Sequence, residues 1–318
     1  MRTVCFSFFI LIALSGLALA SSPGKFVPAD GKILFIVGQD KNAIREYVSG
    51  VGIVPGGTMC YTSIQQLDGL EHEYNRGGGV LDGQHLLDTY PDSVLQIGLW
   101  MVDGLEGVAN GVYDENIDRL GAWIKKAARP VFLRIGYEFD LPLNHYEPAA
   151  FVKAWRHMVD RLRNNGVDNV AFVWHSYAAL PPHPWIEWYP GDDYVDWVAA
   201  SFFGQPNIYM SKLSEFADDH GKPFMIAEST PKGLGTKYGE ASWKHWFDGF
   251  FKFIADKKVK AVCYINWDWE TIADFRAQGW GDTRVEANAY VKQAWIKEIT
   301  RDKYLQASGA LFHQLGYR

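Results

Sequence analysis

Eight short runs of apolar, β-branched and aromatic residues, each followed by a helical or loop segment, constrain this chain more than any other feature. They are Ile33–Asp40, Thr58–Ile64, Val94–Met101, Pro130–Asp140, Asn169–Tyr177, Val195–Gly204, Lys222–Thr230 and Lys260–Trp269. Continuous apolar runs suit strands covered on both faces, and strand alternating with helix implies a parallel sheet. Eight such units within 318 residues predict an α/β fold, a single (β/α)8 TIM barrel. Helices are predicted over Asn42–Val48, Gln65–Tyr74, Glu115–Ala128, Pro148–Asn164, Lys212–His220, Trp243–Lys257 and Glu286–Ile299. The fourth of these carries Pro at its start, Phe151, Trp155, Val159 and Leu162 on one stripe, and Gly166 just beyond its end. Gly77-Gly78-Gly79 reads as loop punctuation, because nothing around it matches a nucleotide-binding motif.

The first 20 residues stand apart. Met1-Arg2 precedes an apolar run from Val4 to Leu17 and then Ala18-Leu19-Ala20, the pattern of a secretory signal peptide with a small-residue cleavage site. The run is shorter than the roughly 20 apolar residues a spanning helix needs, so a membrane anchor is not expected. Residues 21–318 are then one catalytic domain, secreted or periplasmic, with no membrane attachment after cleavage and expected to act as a monomer. Arg2 leaves with the signal, which makes 30 basic against 37 acidic residues; this mild acidity supplies no basic footprint for nucleic acid. Of the cysteines, Cys60 and Cys263 remain, each inside an apolar run, and both are expected as buried free thiols.

Two of the eight runs end in an isolated carboxylate. Pro130–Asp140 reads Pro-Val-Phe-Leu-Arg-Ile-Gly-Tyr-Glu-Phe-Asp, and Lys222–Thr230 reads Lys-Pro-Phe-Met-Ile-Ala-Glu-Ser-Thr. Burying a lone carboxylate is costly, so Glu138 and Glu228 are expected together at one rim, the C-terminal ends of the barrel strands, where sites form in this fold. Along an extended strand Arg134, Gly136 and Glu138 share one parity and would project from the same face. Paired carboxylates are the machinery of glycoside hydrolysis. The 13 Trp residues supply flat apolar faces suited to sugar rings. The nine His show no His-x-His or His-Glu-x-x-His spacing, so no metal or other cofactor is expected, and no Gly-x-Ser-x-Gly elbow points to a serine hydrolase.

Acids ending strands four and seven of such a barrel resemble the clan of retaining glycoside hydrolases that place an acid/base Glu and a nucleophile Glu there. Arg134-x-x-x-Glu138, the stretch Tyr189-Pro190-Gly191-Asp192-Asp193-Tyr194-Val195-Asp196 and Gly38-Gln39-Asp40 resemble glycoside hydrolase family 26, the β-mannanase family, over nearly the whole mature chain. Family 26 has His before the acid/base, whereas this chain has Tyr137. Gly-Tyr-Glu-Phe-Asp followed by Asn144 is similar to the related endo-β-1,3-glucanases of family 158.

The resemblance implies a secreted endo-β-glycanase acting on a polysaccharide or oligosaccharide by double displacement, with Glu138 as acid/base and Glu228 as nucleophile about 5–5.5 Å apart. β-1,3-Glucan is the favoured substrate and β-mannan the alternative; a barrel that binds polysaccharide without cleaving it and a transglycosylase are the rival readings. Arg134 is expected to pair with Glu228 across the site. Trp267 corresponds to the strand-eight aromatic that floors the sugar subsite. Tyr137, His175 and Trp174, and then Asp140, Asn144, Gln39 and Trp100, are further candidates for sugar contact. Specificity would rest on the loops Leu141–Pro148, Leu180–Asp193 and Pro231–Glu240.

Overall fold

The computed structural model describes residues 24–75, 79–178 and 185–318. The expected signal segment, Gly77 and Gly78 of the glycine run, and Leu180 to Pro184 of the long loop lie outside the described residues. Eight parallel strands close on themselves: β1 (Ile33–Gly38), β2 (Gly57–Ser63), β3 (Val94–Trp100), β4 (Val131–Ile135), β5 (Val170–Ser176), β6 (Trp197–Phe202), β7 (Phe224–Ser229) and β8 (Ala261–Ile265), with β8 pairing back to β1. This is the predicted barrel. A two-residue strand, Tyr304–Leu305, extends the sheet beside β1.

Alternation along each strand sorts side chains into two layers. Outward residues such as Phe35, Leu133, Phe172, Trp174 and Tyr264 pack beneath the helices. Inward ones such as Ile36, Met59, Phe132, Val173 and Cys263 fill the barrel. The α-helices of seven residues or more are α1 (Lys41–Val51), α2 (Gly83–Thr89), α3 (Asp114–Ala127), α4 (Pro148–Asn164), α5 (Ile208–Asp219), α6 (Asp248–Asp256) and α7 (Ala289–Ile299). α4 has the predicted bounds because its Pro stands where no N–H is needed and Glu147 caps Ala149 and Ala150 at 3.1 and 2.7 Å. Among the described residues between β5 and β6 there is no α-helix, only the short 3-10 turns Trp185–Trp188 and Asp192–Tyr194.

One predicted helix is absent. Residues 65–72 form turns and bends and Tyr74 begins a short strand, because Gly69 takes φ +78° and the carbonyls of Gly69 and Leu70 receive the N–H groups of Gly83 and Gln84, both at 2.7 Å. The helix begins instead at Gly83, capped by Asp82, which accepts from His85 N at 3.0 Å. Cys60 and Cys263 are buried free thiols, as expected, although on opposite faces of the sheet.

The inner layer changes character along the barrel axis. Phe26, Leu34, Phe132, Leu311 and Leu315 make the N-terminal half apolar. Toward the C-terminal ends it becomes polar, with Gln96, Arg134, His175 and Ser201 all buried. Gly98 on β3 makes room for this layer: a methyl group there would stand 2.8 Å from an Arg134 nitrogen and against the Tyr61 ring. Gly98→Ala is therefore expected to cost about 1–3 kcal/mol in a urea melt, as overpacked cores do, and to reduce the hydrolysis expected of the paired glutamates by more than the fraction unfolded explains. Unchanged activity in a fully folded variant would show that Tyr61 and Arg134 can shift without consequence.

Candidate active site

Glu138 and Glu228 reach the same rim by different departures from regular strand. β4 ends at Ile135, so the parity expected to align Arg134 with Glu138 does not operate. Instead Gly136 and Glu138 adopt φ +52° and +53°, and the left-handed turn brings the Glu138 carboxyl back over the barrel mouth. Phe139 N then donates to His175 O at 3.2 Å, and Asn144 Nδ2 donates to the carbonyls of Tyr137 and Glu138 at 3.2 and 2.9 Å, pinning the turn. On β7, strict alternation would place Glu228 with Phe224 and Ile226 under the helices. The register against β6 slips after Ala200, pairing Ser201 with Glu228, and this irregularity turns the carboxylate inward.

Glu228 Oε1 accepts from Tyr61 OH at 2.8 Å and from Arg134 in a buried ion pair. Arg134 has no exposed side-chain surface, and its NH2 group lies 3.0 Å from Met59 Sδ. Its guanidinium carbon also stands 5.2 and 5.1 Å from the rings of Tyr61 and Tyr137. The expected pairing of Arg134 with Glu228 is thus what the structure shows. Glu138 Oε1 accepts from Ser201 Oγ at 2.6 Å. Burial, followed by the charge of Glu228, pushes the Glu138 carboxyl up to about 8, while the Ser201 hydrogen bond and Arg134 oppose the rise.

The other candidates divide by exposure. Tyr137, Trp100 and Trp267 are half-buried at the rim, with Tyr137 5.3 Å from the Tyr61 ring and 6.0 Å from Trp100. Trp100 lines a cavity of about 400 Å³ with Ser63, Gln65, Tyr74 and Asp103. Trp267 stands just beyond β8, edge-on to Trp269 at 5.0 Å. Gln39 is buried at the end of β1.

Four of the expected sugar contacts take other places. Trp174 faces outward, stacked on Phe139 at 4.5 Å with its Nε1 donating to Trp188 O, because alternation on β5 sends it to the helix layer. His175 faces inward but is fully buried, with both ring nitrogens engaged by Arg134 and Ser201. Asp140 accepts from Ser176 Oγ and Tyr177 N, both at 2.6 Å, and Asn144 holds the Glu138 turn. Tyr61 and Ser201 were not anticipated. Each follows an inward neighbour two residues earlier, Met59 and Ala199, which is a readable signal for an inward polar group near a strand end. Among the described residues no cluster of His, Cys, Asp and Glu could hold a metal ion.

Residues 96–234, which carry both glutamates, match the model of glycosyl hydrolase family 26. A β-1,3-xylanase, TXYA, from a Vibrio species is 36% identical, covering 92% of this chain and 70% of that protein. The chain belongs to glycosyl hydrolase family 26. A second relative at 34% identity, from an Alcaligenes species, is also a β-1,3-xylanase, and the matched region covers 92% of this chain and 69% of that one. Solved structures with the same fold include a family 26 β-mannanase from Bacteroides ovatus, at TM-score 0.65 and 18% identity over 89% of this chain and 93% of that one. A modular endo-β-1,4-mannanase from Cellulomonas fimi gives TM-score 0.62 at 16% identity, covering 89% and 74%. This family member is an endo-acting glycoside hydrolase, and its substrate is a polysaccharide.

The raised Glu138 carboxyl has a consequence for stability. Folded protein keeps this proton up to about 8, whereas an unfolded Glu releases it near 4.5. Between those values the folded state binds the extra proton, so stability falls as pH rises. Glu138→Gln removes the titration. Its melting temperature is expected to exceed that of the parent by a margin that is small near pH 4, widens through pH 5–8 and then levels off. A margin independent of pH in calorimetric scans would refute the environment assigned to Glu138.

Proposed function

We propose that this enzyme is a retaining endo-β-1,3-xylanase. The observation that carries the substrate is the pair of relatives at 36% and 34% identity, both named for β-1,3-xylan and both matched across 92% of this chain. The mannanase structures, all far more distant in sequence, speak for the fold. Tyr137, standing where the mannanase pattern has His, supports the same reading from within the site.

In the proposed reaction Glu228 is the nucleophile and Glu138 the acid/base. Tyr61 and Arg134 converge on Oε1 of Glu228, which leaves Oε2 to attack the anomeric carbon. Glu138, still protonated near neutrality because it is buried beside another carboxylate, gives its proton to the departing glycosidic oxygen as that bond breaks. The sugar is then held as an ester of Glu228. Glu138, now ionised, takes a proton from water; the oxygen of that water adds to the anomeric carbon, and the ester bond to Glu228 breaks with net retention. Cavities on either side suit a polysaccharide running across the mouth, one beside Trp100 and another of about 190 Å³ beside Ser201, Tyr177 and Phe203.

Export by residues 1–20 and action as a monomer complete the proposal; N-terminal sequencing of secreted protein and light scattering would check them. The decisive assay is reducing-sugar release from β-1,3-xylan, β-1,3-glucan and β-mannan in parallel. Hydrolysis of the xylan is expected to lead, to fall on its alkaline side as pH rises through about 8, and to drop by about 10,000-fold or more in Glu228→Gln. Activity on the glucan alone would keep the linkage and change the sugar, and activity on mannan alone would overturn both.

A further inference from the structure

The two glutamates are joined by a continuous file of hydrogen bonds. From Glu138 Oε1 it runs to Ser201 Oγ at 2.6 Å, from Ser201 Oγ to His175 Nε2 at 3.0 Å, from His175 Nδ1 to Arg134 NH1 at 3.2 Å, and from the same NH1 to Glu228 Oε1. The direction of every link follows from one fact: a guanidinium has only donors. Nδ1 of His175 must therefore accept, which places the imidazole proton on Nε2. Nε2 then donates to Ser201 Oγ, and the single hydroxyl proton of Ser201 points to Glu138 Oε1. The opposite direction would need a proton on Nδ1, facing the N–H of Arg134, and two donors would meet head to head.

An Oε1 that accepts from Ser201 is not the oxygen that carries the acid proton. We propose that Ser201 and His175 are positioning residues for the general acid, holding the transferable proton of Glu138 on Oε2 through both steps of the reaction. The inference rests on the reading of Glu138 as acid/base. It gives one oxygen both duties: Oε2 donates to the leaving group and later accepts from water, while Oε1 keeps the Ser201 bond whichever charge Glu138 bears. The file keeps its direction because His175 stays neutral; burial first, and the adjacent Arg134 charge second, hold its ring well below the usual imidazole range. The ionisable groups around Glu138 and His175 are Arg134, Tyr137, Asp140 and Tyr146 on and after β4, Tyr177 just after β5, Glu228 on β7 and Tyr61 on β2, and all of them are buried or half-buried.

The test separates positioning of the acid from structural damage. A 2,4-dinitrophenyl glycoside of the oligosaccharide the enzyme releases has a leaving group that departs without a proton, whereas the polysaccharide does not. For each variant kcat/KM, which reports glycosyl transfer to Glu228, is measured on both. Ser201→Ala is expected to lose about 10- to 100-fold on polysaccharide, part of the roughly 100- to 10,000-fold that a placed general acid contributes, and less than about 3-fold on the dinitrophenyl glycoside. His175→Gln, which retains a donor toward Ser201, should show the same selectivity with a smaller loss. Equal losses on both substrates, or no loss on either, would overturn the assignment. Glu138→Gln is run beside them: if it too lacks selectivity, the acid/base reading fails and the positioning role with it. Selectivity in Glu138→Gln without selectivity in Ser201→Ala removes the positioning role alone.

Discussion

The buried ion pair between Arg134 and Glu228 is the constraint on which the upper barrel depends. A guanidinium with no exposed side-chain surface cannot shed its charge, so it needs an opposite charge and acceptors for its terminal nitrogens, while its buried Nε has no hydrogen-bond partner among the described residues. Glu228 supplies the charge, His175 Nδ1 and Met59 Sδ supply acceptors, and the rings of Tyr61 and Tyr137 turn their electron-rich faces toward it. Met59 in turn accepts from Gln96 Nε2 at 2.9 Å, which ties β2 and β3 to the same point. Gly98 beside it has no side chain because the guanidinium and Tyr61 occupy the space. A cation that would otherwise be a liability in a barrel core thereby organises inward residues from five strands.

This arrangement pushes the two glutamates apart chemically while holding them in one frame. Glu228 receives a cation and a phenol. Glu138 receives a single neutral hydroxyl, sits in a buried pocket and feels the negative charge of its partner, so its proton is retained toward about 8. Burial beside a second carboxylate is what raises Glu138, the means by which a fold can keep one carboxylic acid protonated near neutral pH. The difference between them comes from the partners Arg134, Tyr61 and Ser201 and not from the carboxyls themselves.

Much of the scaffold was readable along the chain. The eight strands and the bounds of α4 emerge from apolar runs and end signals, because buried parallel strands and capped amphipathic helices leave local patterns. The site was readable in part: Glu138 and Glu228 were expected at one rim and stand there, but for reasons that hold incompletely. A parity argument through Gly136 assumed extended backbone where the chain takes a left-handed turn, and Glu228 faces inward only by a slipped register. Trp174 and His175 could not both face a ligand from adjacent strand positions, and alternation had already excluded one of them. The missing helix near Gln65 failed because Gly69 and a later segment claimed its backbone groups.

The sequence by itself determined the barrel, the family and the two carboxylates, since these depend on local periodicity and on residue types that are costly to bury without purpose. The tertiary structure alone decided which oxygen each donor meets, that Tyr61 and Ser201 reach the two glutamates, and that His175 is buried behind them between Arg134 and Ser201. Those contacts join residues 26 to 167 positions apart, across strands whose inward faces meet only when the barrel closes, as His175 meets Ser201 and Tyr61 meets Glu228. A register slip or a single positive φ, invisible in residue type, is enough to redirect them.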